Sequence, residues 1–383
     1  MRKSLKMNKI RIFVLLLFLV LVSLISMCCS STRPKTERYW NEHFMIGTEK
    51  NIIFNALSVN DRLYVMTIDY ILIYDKFDRN PLQITIDQSN SFDYRPLMSR
   101  DFAVYLYPWK KDYVPFRSYA QFPSEIDGFS PVDLGEEFKD FTFDTTNTRR
   151  YLGAVNSKNR YVTWITGRKA NDEIPRYTYF VYIDVHIDEM GNTYVVDKGF
   201  WTNKEMSQRN VYVPHIISYQ DKFYISARSF YQGIPFLIEI SEDGEMIEIQ
   251  NPLGMPIRLF FKYKGYLFAQ LQNEAIIYTT DAKTWYNWLY LTGGGIHELI
   301  EIDEYLFVWQ WDRVYFFSEF YAPKFYRLPV ENLAGREITS VNKYRDDLVI
   351  TTTSGIFYKP FNEVMNDRIL VSDNQNRRIH IGE

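Results

Sequence analysis

The chain of 383 residues carries 44 basic and 47 acidic residues, and 17% of its residues are aromatic. Five of the basic residues lie within the first 27, so the remaining chain has 39 basic and 47 acidic residues and a net charge of −8. Because phosphate neutralisation by Lys and Arg dominates affinity for nucleic acid, this balance, without a concentrated basic stripe, excludes nucleic-acid binding. Strand-favouring Tyr, Phe, Val, Ile and Thr are abundant and amphipathic helix patterns almost absent, which predicts an all-β protein.

The N-terminus has the layout of a secretory signal. A basic region ends at Arg11, and a nearly unbroken apolar stretch follows from Ile12 to Ile25. This stretch is shorter than the roughly 20 residues that a membrane-spanning helix needs. Residues 1–27 are therefore predicted to be a signal peptide of an exported protein.

The only two cysteines, Cys28 and Cys29, follow this segment directly. The stretch from Leu24 to Cys29 resembles bacterial lipoprotein signals, in which the cysteine after the cleavage site carries a lipid. Ile25 fits that pattern for Cys28, whereas Cys28 supplies the small preceding residue for Cys29, so both remain candidates. The resemblance implies a lipid anchor on a bacterial membrane, facing the periplasm or the surface. The alternative is an uncleaved membrane anchor with incidental cysteines.

Beyond the cysteines, residues 28–38 form a short polar tether that contains Pro34. No later linker or low-complexity run interrupts residues 39–383, which we interpret as a single domain. Since no further cysteine is present, this domain has to be stabilised by burial without internal disulfides, and its length is sufficient for that.

A strand–turn–strand phrase recurs about every 40 residues along this domain. Its copies are Leu57–Val65, Ile217–Ile225, Phe261–Phe268, Ile300–Phe307 and Ser340–Ile350. Anchors on the middle strand of each repeat are Tyr64, Ala103, Tyr161, Tyr224, Leu267, Leu306 and Val349. Four of the six spacings lie close to the roughly 40–45 residues of a four-stranded propeller blade. The sequence predicts a β-propeller, with seven four-stranded blades favoured and six or eight left open.

A closed ring explains why small sheets with two apolar faces would repeat, since each one is covered by its neighbours. Either a strand from Arg38 to Gly47 would complete the last blade, or Arg368 to Val371 would complete the first. A β-sandwich and an open β-solenoid fit less well, because a solenoid repeats at roughly 20–30 residues. The two longest repeats are interpreted as carrying insertions, at Lys110–Phe138 and Gly167–Arg176.

One turn resembles the Asp-box of sialidase-like β-propellers. In Tyr278–Trp285, the residues Thr279, Asp281, Thr284 and Trp285 occupy the motif positions, although the turn is one residue shorter than the full pattern. The resemblance implies that Asp281 accepts backbone amide hydrogens between the third and fourth strands of a blade. The Arg-Ile-Pro phrase and the catalytic groups of sialidases have no counterpart in this chain, so the resemblance concerns the fold and not an enzyme.

No cofactor or metal site is predicted. Asp184, His186 and Asp188 alternate along one strand, but such alternation is typical of a solvated face, and the other histidines lack ligand spacing. Trp309 is expected to pack between blades. Trp109, Trp201 and Trp288 lie beside Lys, Asn or Pro in loop-like contexts and are predicted to be exposed, ligand-facing aromatic residues.

These patterns favour a lipid-anchored binding scaffold of the cell envelope, with a protein or a glycan as its partner. The two insertions would carry recognition, because variable loops on a rigid scaffold commonly do so. The alternative is a hydrolase of extracellular polysaccharide with a pair of carboxylates in an axial pocket. A third hypothesis, an assembly factor of the envelope, rests on analogy of fold.

Overall fold

The computed structural model describes residues 40–45, 52–59, 61–67, 70–77, 80–85, 97–98, 104–106, 118–124, 128–133, 141–143, 153–169, 177–188, 193–202, 211–229, 233–249, 254–293, 298–330, 333, 337–372 and 378–380. All of them belong to one compact unit, Trp40–Glu383. The predicted signal peptide, the tether, Cys28, Cys29 and Trp109 lie outside the described residues. None of the described helices has the length and apolarity to cross a membrane.

The described residues form seven sheets. Sheet 1 contains β2 (Ile53–Val59), β3 (Arg62–Thr67), β4 (Tyr70–Tyr74) and β5 (Leu82–Thr85). Sheet 2 contains β6 (Leu97–Met98), β7 (Val104–Leu106), β8 (Ser118–Ser124) and β9 (Gly128–Asp133). Sheet 3 contains β10 (Phe141–Phe143), β11 (Ala154–Val155), β12 (Arg160–Lys169), β13 (Tyr177–Ile187) and β14 (Thr193–Thr202).

Sheet 4 contains β15 (Val211–Tyr219), β16 (Lys222–Ser229), β17 (Pro235–Ile240) and β18 (Met246–Ile249). Sheet 5 contains β19 (Ile257–Tyr263), β20 (Tyr266–Leu271), β21 (Ala275–Thr279), β22 (Tyr286–Thr292) and β31 (Arg378–His380). Sheet 6 contains β23 (Glu298–Ile302), β24 (Tyr305–Trp309), β25 (Val314–Phe317), β26 (Phe325–Arg327) and β30 (Ile369–Ser372). Sheet 7 contains β27 (Ile338–Tyr344), β28 (Asp347–Thr352), β29 (Gly355–Pro360) and β1 (Asn41–Met45), and a short helix, α1 (Phe361–Asn366), follows β29.

This arrangement is a β-propeller, which confirms the predicted fold class. Six of the described sheets contain a regular four-stranded unit, a number that the sequence prediction allowed. Sheet 3 differs because β10 and β11 both pair with β12 and share the innermost position. The hydrophobic core is divided among the interfaces between neighbouring sheets, and Phe307 and Trp309 of sheet 6 pack there against sheet 7.

The N-terminal strand closes the ring. β1 pairs antiparallel with β29, so the start of the described chain completes the sheet formed by its last repeat. Trp40, just before β1, is 4% exposed, and its indole N–H donates to the carbonyl oxygen of Pro329 at 2.9 Å. The first predicted way of closure is therefore confirmed. The second is wrong, because β30 pairs with β26 of sheet 6 and not with sheet 1.

The repeated phrase corresponds to the first hairpin of each regular sheet. Two-residue turns join the first and second strands, and φ is positive at Asp61 (58°), Lys264 (52°), Asp303 (54°) and Arg345 (56°). Such turns match the right-handed twist of the flanking strands, which is why short polar residues interrupt the apolar runs there. Six of the seven sequence anchors lie in second strands, and Ala103 lies outside the described residues.

Three of these first strands end in a tyrosine that reaches the next sheet around the ring. Each phenol donates to a backbone carbonyl oxygen of that sheet: Tyr219 to Gly265 (3.0 Å), Tyr263 to Glu304 (3.2 Å) and Tyr344 to Tyr74 (3.0 Å). The aromatic ring supplies apolar burial while its hydroxyl satisfies a carbonyl group. These hydrogen bonds therefore set the register between neighbouring sheets.

The predicted insertions need correction. Lys110–Phe138 contains β8 and β9, which pair as the outer hairpin of sheet 2. A stretch rich in Pro, Ser and Asp resembled a loop in sequence, yet its alternating aromatic and small residues form an edge hairpin, where proline is tolerated. Within Gly167–Arg176, Gly167 to Lys169 belong to β12, and the remainder lies outside the described residues.

Candidate functional site at the propeller axis

A cavity of about 460 Å³ lies where the innermost strands converge. It is lined by residues of β2, β11, β15, β19, β23 and β27, which belong to six different sheets. The apolar part of its wall includes Leu57, Ala154, Ile216, Ile217, Phe260 and Ile302. The polar part includes His215, Lys262, Glu298, Glu301, Asp303, Asn342 and Lys343. A mixed, concave lining of this size is typical of small-ligand or peptide-side-chain sites.

One strand, β23, and the turn after it contribute the carboxylates. Glu298, Glu301 and Asp303 lie within six residues of each other on the cavity wall. Glu301 is half-buried, and its two oxygens accept the backbone N–H of Lys264 at 3.1 and 3.2 Å. Burial raises the pKa of the Glu301 carboxyl above its ordinary value, although the Lys264 amide and ammonium partly oppose this change. Glu301 is thus tied to sheet 5 while its carboxyl faces incomplete solvation.

A charged pair from two sheets borders the same cavity. The Lys343 ammonium donates to both oxygens of Asp303 at 2.7 and 2.9 Å. The two side chains are 34% and 43% exposed, so water screens the pair. This contact joins β27 to the turn of sheet 6 and leaves the two charges accessible from solvent.

Two further polar side chains shape the wall. The Asn342 amide donates to the carbonyl oxygen of Ala56 at 3.0 Å and to the Ser340 hydroxyl at 3.0 Å, and so links the last sheet to the first. His215 is half-buried on β15, with its ring 5.9 Å from that of Phe260. The cavity thus combines fixed hydrogen-bonding groups, both signs of charge and an aromatic wall.

The turn between β21 and β22 has the contacts that an Asp-box implies. The Asp281 carboxylate accepts the backbone N–H groups of Lys283 at 2.9 Å and Thr284 at 2.7 Å, and the Thr279 hydroxyl at 2.9 Å. These bonds, the one from Thr284 foremost, lower the pKa of Asp281 to about 2. Ala282 has φ of 57° and is fully buried, so this position requires a small residue. Trp285 packs, partly buried, against the core between sheets 4 and 5.

The tryptophans predicted to face a ligand lie elsewhere than the cavity lining. Trp288 is 5% exposed, and its N–H donates to the Phe320 carbonyl oxygen at 2.8 Å, so its predicted exposure is wrong. Its position beside Asn287 resembled a loop, but it is an inward residue of β22. Trp201 is partly buried and stacks on Tyr182 with ring centroids 4.6 Å apart. Trp109 lies outside the described residues.

The alternating acidic strand is engaged in the structure. Both oxygens of Asp184 accept hydrogen bonds from Arg160, at 2.6 and 2.7 Å, and Asp188 accepts one from Tyr194 at 3.3 Å. His186 is exposed. Across the part of the chain that the structure describes, no group of three or more His, Cys, Asp or Glu side chains is arranged to hold a metal ion.

The cavity residues were missed by sequence reasoning, because they come from different repeats. A usable signal was present, however. Glu301, Asp303 and Lys343 all lie within or next to copies of the strand–turn–strand phrase, at positions where other copies have different polar residues. Polar variation at the end of an innermost strand is what a functional axis would require.

No protein-family model matches the chain, and no curated protein matches it. Solved structures do match it. YCF48 bound to the D1 peptide is 9% identical with a TM-score of 0.46, over 84% of this chain and 94% of that one. The computationally designed Ika8 protein is 10% identical with a TM-score of 0.44, over 84% and 99%.

PorZ, an essential bacterial surface component of the type-IX secretion system of Porphyromonas gingivalis, is 10% identical with a TM-score of 0.37, over 86% of this chain and 39% of that one. At these identities and scores the likeness concerns the β-propeller fold alone.

Proposed function

We propose that this protein is an exported binding scaffold of a bacterial cell envelope, anchored by lipid at Cys28 or Cys29, and that its axial cavity receives the partner. The observation that supports the binding site is the cavity itself, lined from six sheets. A rigid ring holds such a lining in place without loop closure, which reduces the entropy lost on binding. The partner is a protein segment or a glycan, since both present hydroxyl, amide and charged groups of the kind that this wall complements.

The cavity is tested by reversing one charge on its wall. The full-length protein is purified from its native envelope in detergent, and co-purified proteins and saccharides are quantified by mass spectrometry. Glu298→Lys, on the cavity wall, should deplete the partner at least tenfold, because it places an ammonium next to Lys262 and Lys343. Glu248→Lys on β18, the outermost strand of sheet 4, makes the same charge change away from the axis and should retain the partner. Equal recovery with both variants would contradict an axial site.

The anchor is tested separately. Replacing both cysteines, Cys28→Ala and Cys29→Ala, should release the protein from membranes into the soluble fraction, since a signal peptide alone leaves nothing to hold the mature domain. Retention in the membrane fraction would favour the uncleaved anchor. Single replacements identify which cysteine carries the lipid.

A polysaccharide hydrolase is the second candidate function. It is favoured by two glutamates, Glu298 and Glu301, on one cavity wall, of which Glu301 has its pKa raised by burial. A carboxyl group that stays protonated to higher pH is suited to act as a general acid. The proposal predicts hydrolysis of envelope polysaccharide by the wild type and its loss in Glu301→Gln. Absence of any product from isolated envelope polysaccharide would count against an enzyme.

A further inference from the structure

The C-terminal strand β30 extends sheet 6 beyond its fourth strand. It pairs antiparallel with β26, with Leu370 opposite Tyr326 and Ile369 opposite Arg327. It is the last strand of that sheet in the described part of the chain. Three consecutive apolar residues are exposed on it: Ile369 at 38%, Leu370 at 55% and Val371 at 47%.

The other outermost strands carry features that discourage pairing with another chain. β1 has Glu42 and a register shift, β9 has Pro131, and β18 has Glu248. β14 has Asp197 and Lys198. Charges, prolines and bulges of this kind protect sheet edges in native proteins, and an uncharged apolar edge is a site for strand addition. Among the described outermost strands, β30 combines three exposed apolar neighbours with no charged residue in the strand.

The charge closest to this strand is already engaged. The Arg368 guanidinium lies 5.2 Å from the ring centroid of Tyr326 and donates to the carbonyl oxygen of Met365. It is therefore held against its own sheet and does not guard the open edge of β30.

We propose that two copies of this protein pair through β30, antiparallel and about a two-fold axis between Leu370 and Val371. In that register, Leu370 of each copy lies opposite Val371 of the other, so one uncharged apolar strand serves as both halves of the interface. A two-fold contact requires such self-complementarity. A second copy is the occupant that the strand itself specifies, since antiparallel apolar pairs form without any other sequence. Sheet 6 then continues from one ring into the next.

Sedimentation of the full-length protein in detergent tests this. The wild type should sediment as a dimer, and Leu370→Lys should raise the dimer dissociation constant by about tenfold or more, because two like-charged, solvated side chains enter the contact. The matched control is Leu82→Lys on β5, where the leucine is 52% exposed. It should leave the dimer intact. A monomeric wild type, or a Leu370→Lys variant that dimerises as well as the wild type, would overturn the proposal.

A charge-swap pair guards against a variant that only misfolds. Leu370→Lys/Val371→Lys and Leu370→Glu/Val371→Glu should each sediment as monomers, because like charges then face each other across the axis. Mixed together, they should form a heterodimer, since every cross-strand pair becomes an opposite-charge pair. If the wild type dimerises but the mixture stays monomeric, the copies associate through another surface and the assignment to β30 is wrong.

Discussion

At the rim of sheet 7, β1 is held by a buried indole, whereas at the axis the charged groups of β23 and β27 remain partly open to water. The rim contact is apolar, dry and made by the one strand that closes the ring. The axial contacts are polar and shared between sheets, and their charges face a cavity. The difference indicates that ring closure carries stability, while the axis keeps chemical groups available for a partner.

The largest effect is expected at the rim. Trp40→Ala removes a buried ring and its hydrogen bond to Pro329, which should lower the free energy of unfolding by about 3–5 kcal/mol. Urea unfolding followed by tryptophan fluorescence measures this change. Trp40→Phe keeps most of the ring packing and should lose less. A loss below about 1 kcal/mol for Trp40→Ala would show that β1 does not close the ring.

A hydrogen bond between neighbouring sheets should matter less. Tyr263→Phe deletes only the hydroxyl that donates to Glu304, and should cost about 1 kcal/mol. Tyr286→Phe is the control, because Tyr286 is 51% exposed and its loss should lie within about 0.5 kcal/mol of zero. Equal effects of the two changes in urea unfolding would remove the tyrosine links from the account of sheet register.

The Asp281 turn makes a pH-dependent contribution. The pKa of Asp281 is lowered from 3.8 to about 2, so the folded state favours the carboxylate, and its stabilisation is present above the unfolded value. Asp281→Asn should therefore melt at a lower temperature than the wild type at neutral pH. The difference should shrink as the pH falls from about 4 towards 2. A difference independent of pH across that interval would contradict the role of the carboxylate charge.

The smallest change in stability is expected at the axis. Asp303→Asn weakens a partly exposed pair with Lys343 and should cost only about 0.2–1 kcal/mol, decreasing with added salt. A double-mutant cycle with Lys343→Met isolates the coupling between the two side chains. A coupling well above that range would mean that the axis, like the rim, is built for stability.

Much of the architecture could be predicted from local patterns. The alternating runs and two-residue turns identified the first hairpin of each regular sheet, and the one-turn helix near Asn362 was also indicated. The site was less accessible to such reasoning. Glu301 and Lys343 are 42 positions apart in sequence, and nothing in either repeat shows that both border one cavity.

Burial of single aromatic residues also escaped local patterns. Trp288 has polar neighbours in sequence, but Phe320 from the next sheet covers it and accepts its hydrogen bond. The path of the C-terminal segment was equally hidden: β30 adds to sheet 6, and β31 then adds to sheet 5 in parallel. Short strands of three or four residues have too few side chains to specify a partner edge.

The sequence by itself determined the strand class, the repeat and the positions of the tight turns, because these depend on side-chain alternation and on local backbone preferences. Only the tertiary structure decided which residues share the axis, which tryptophan is covered and which edge remains apolar and open. Those outcomes depend on contacts between sheets far apart in the chain, and such contacts leave no periodic trace in the order of residues.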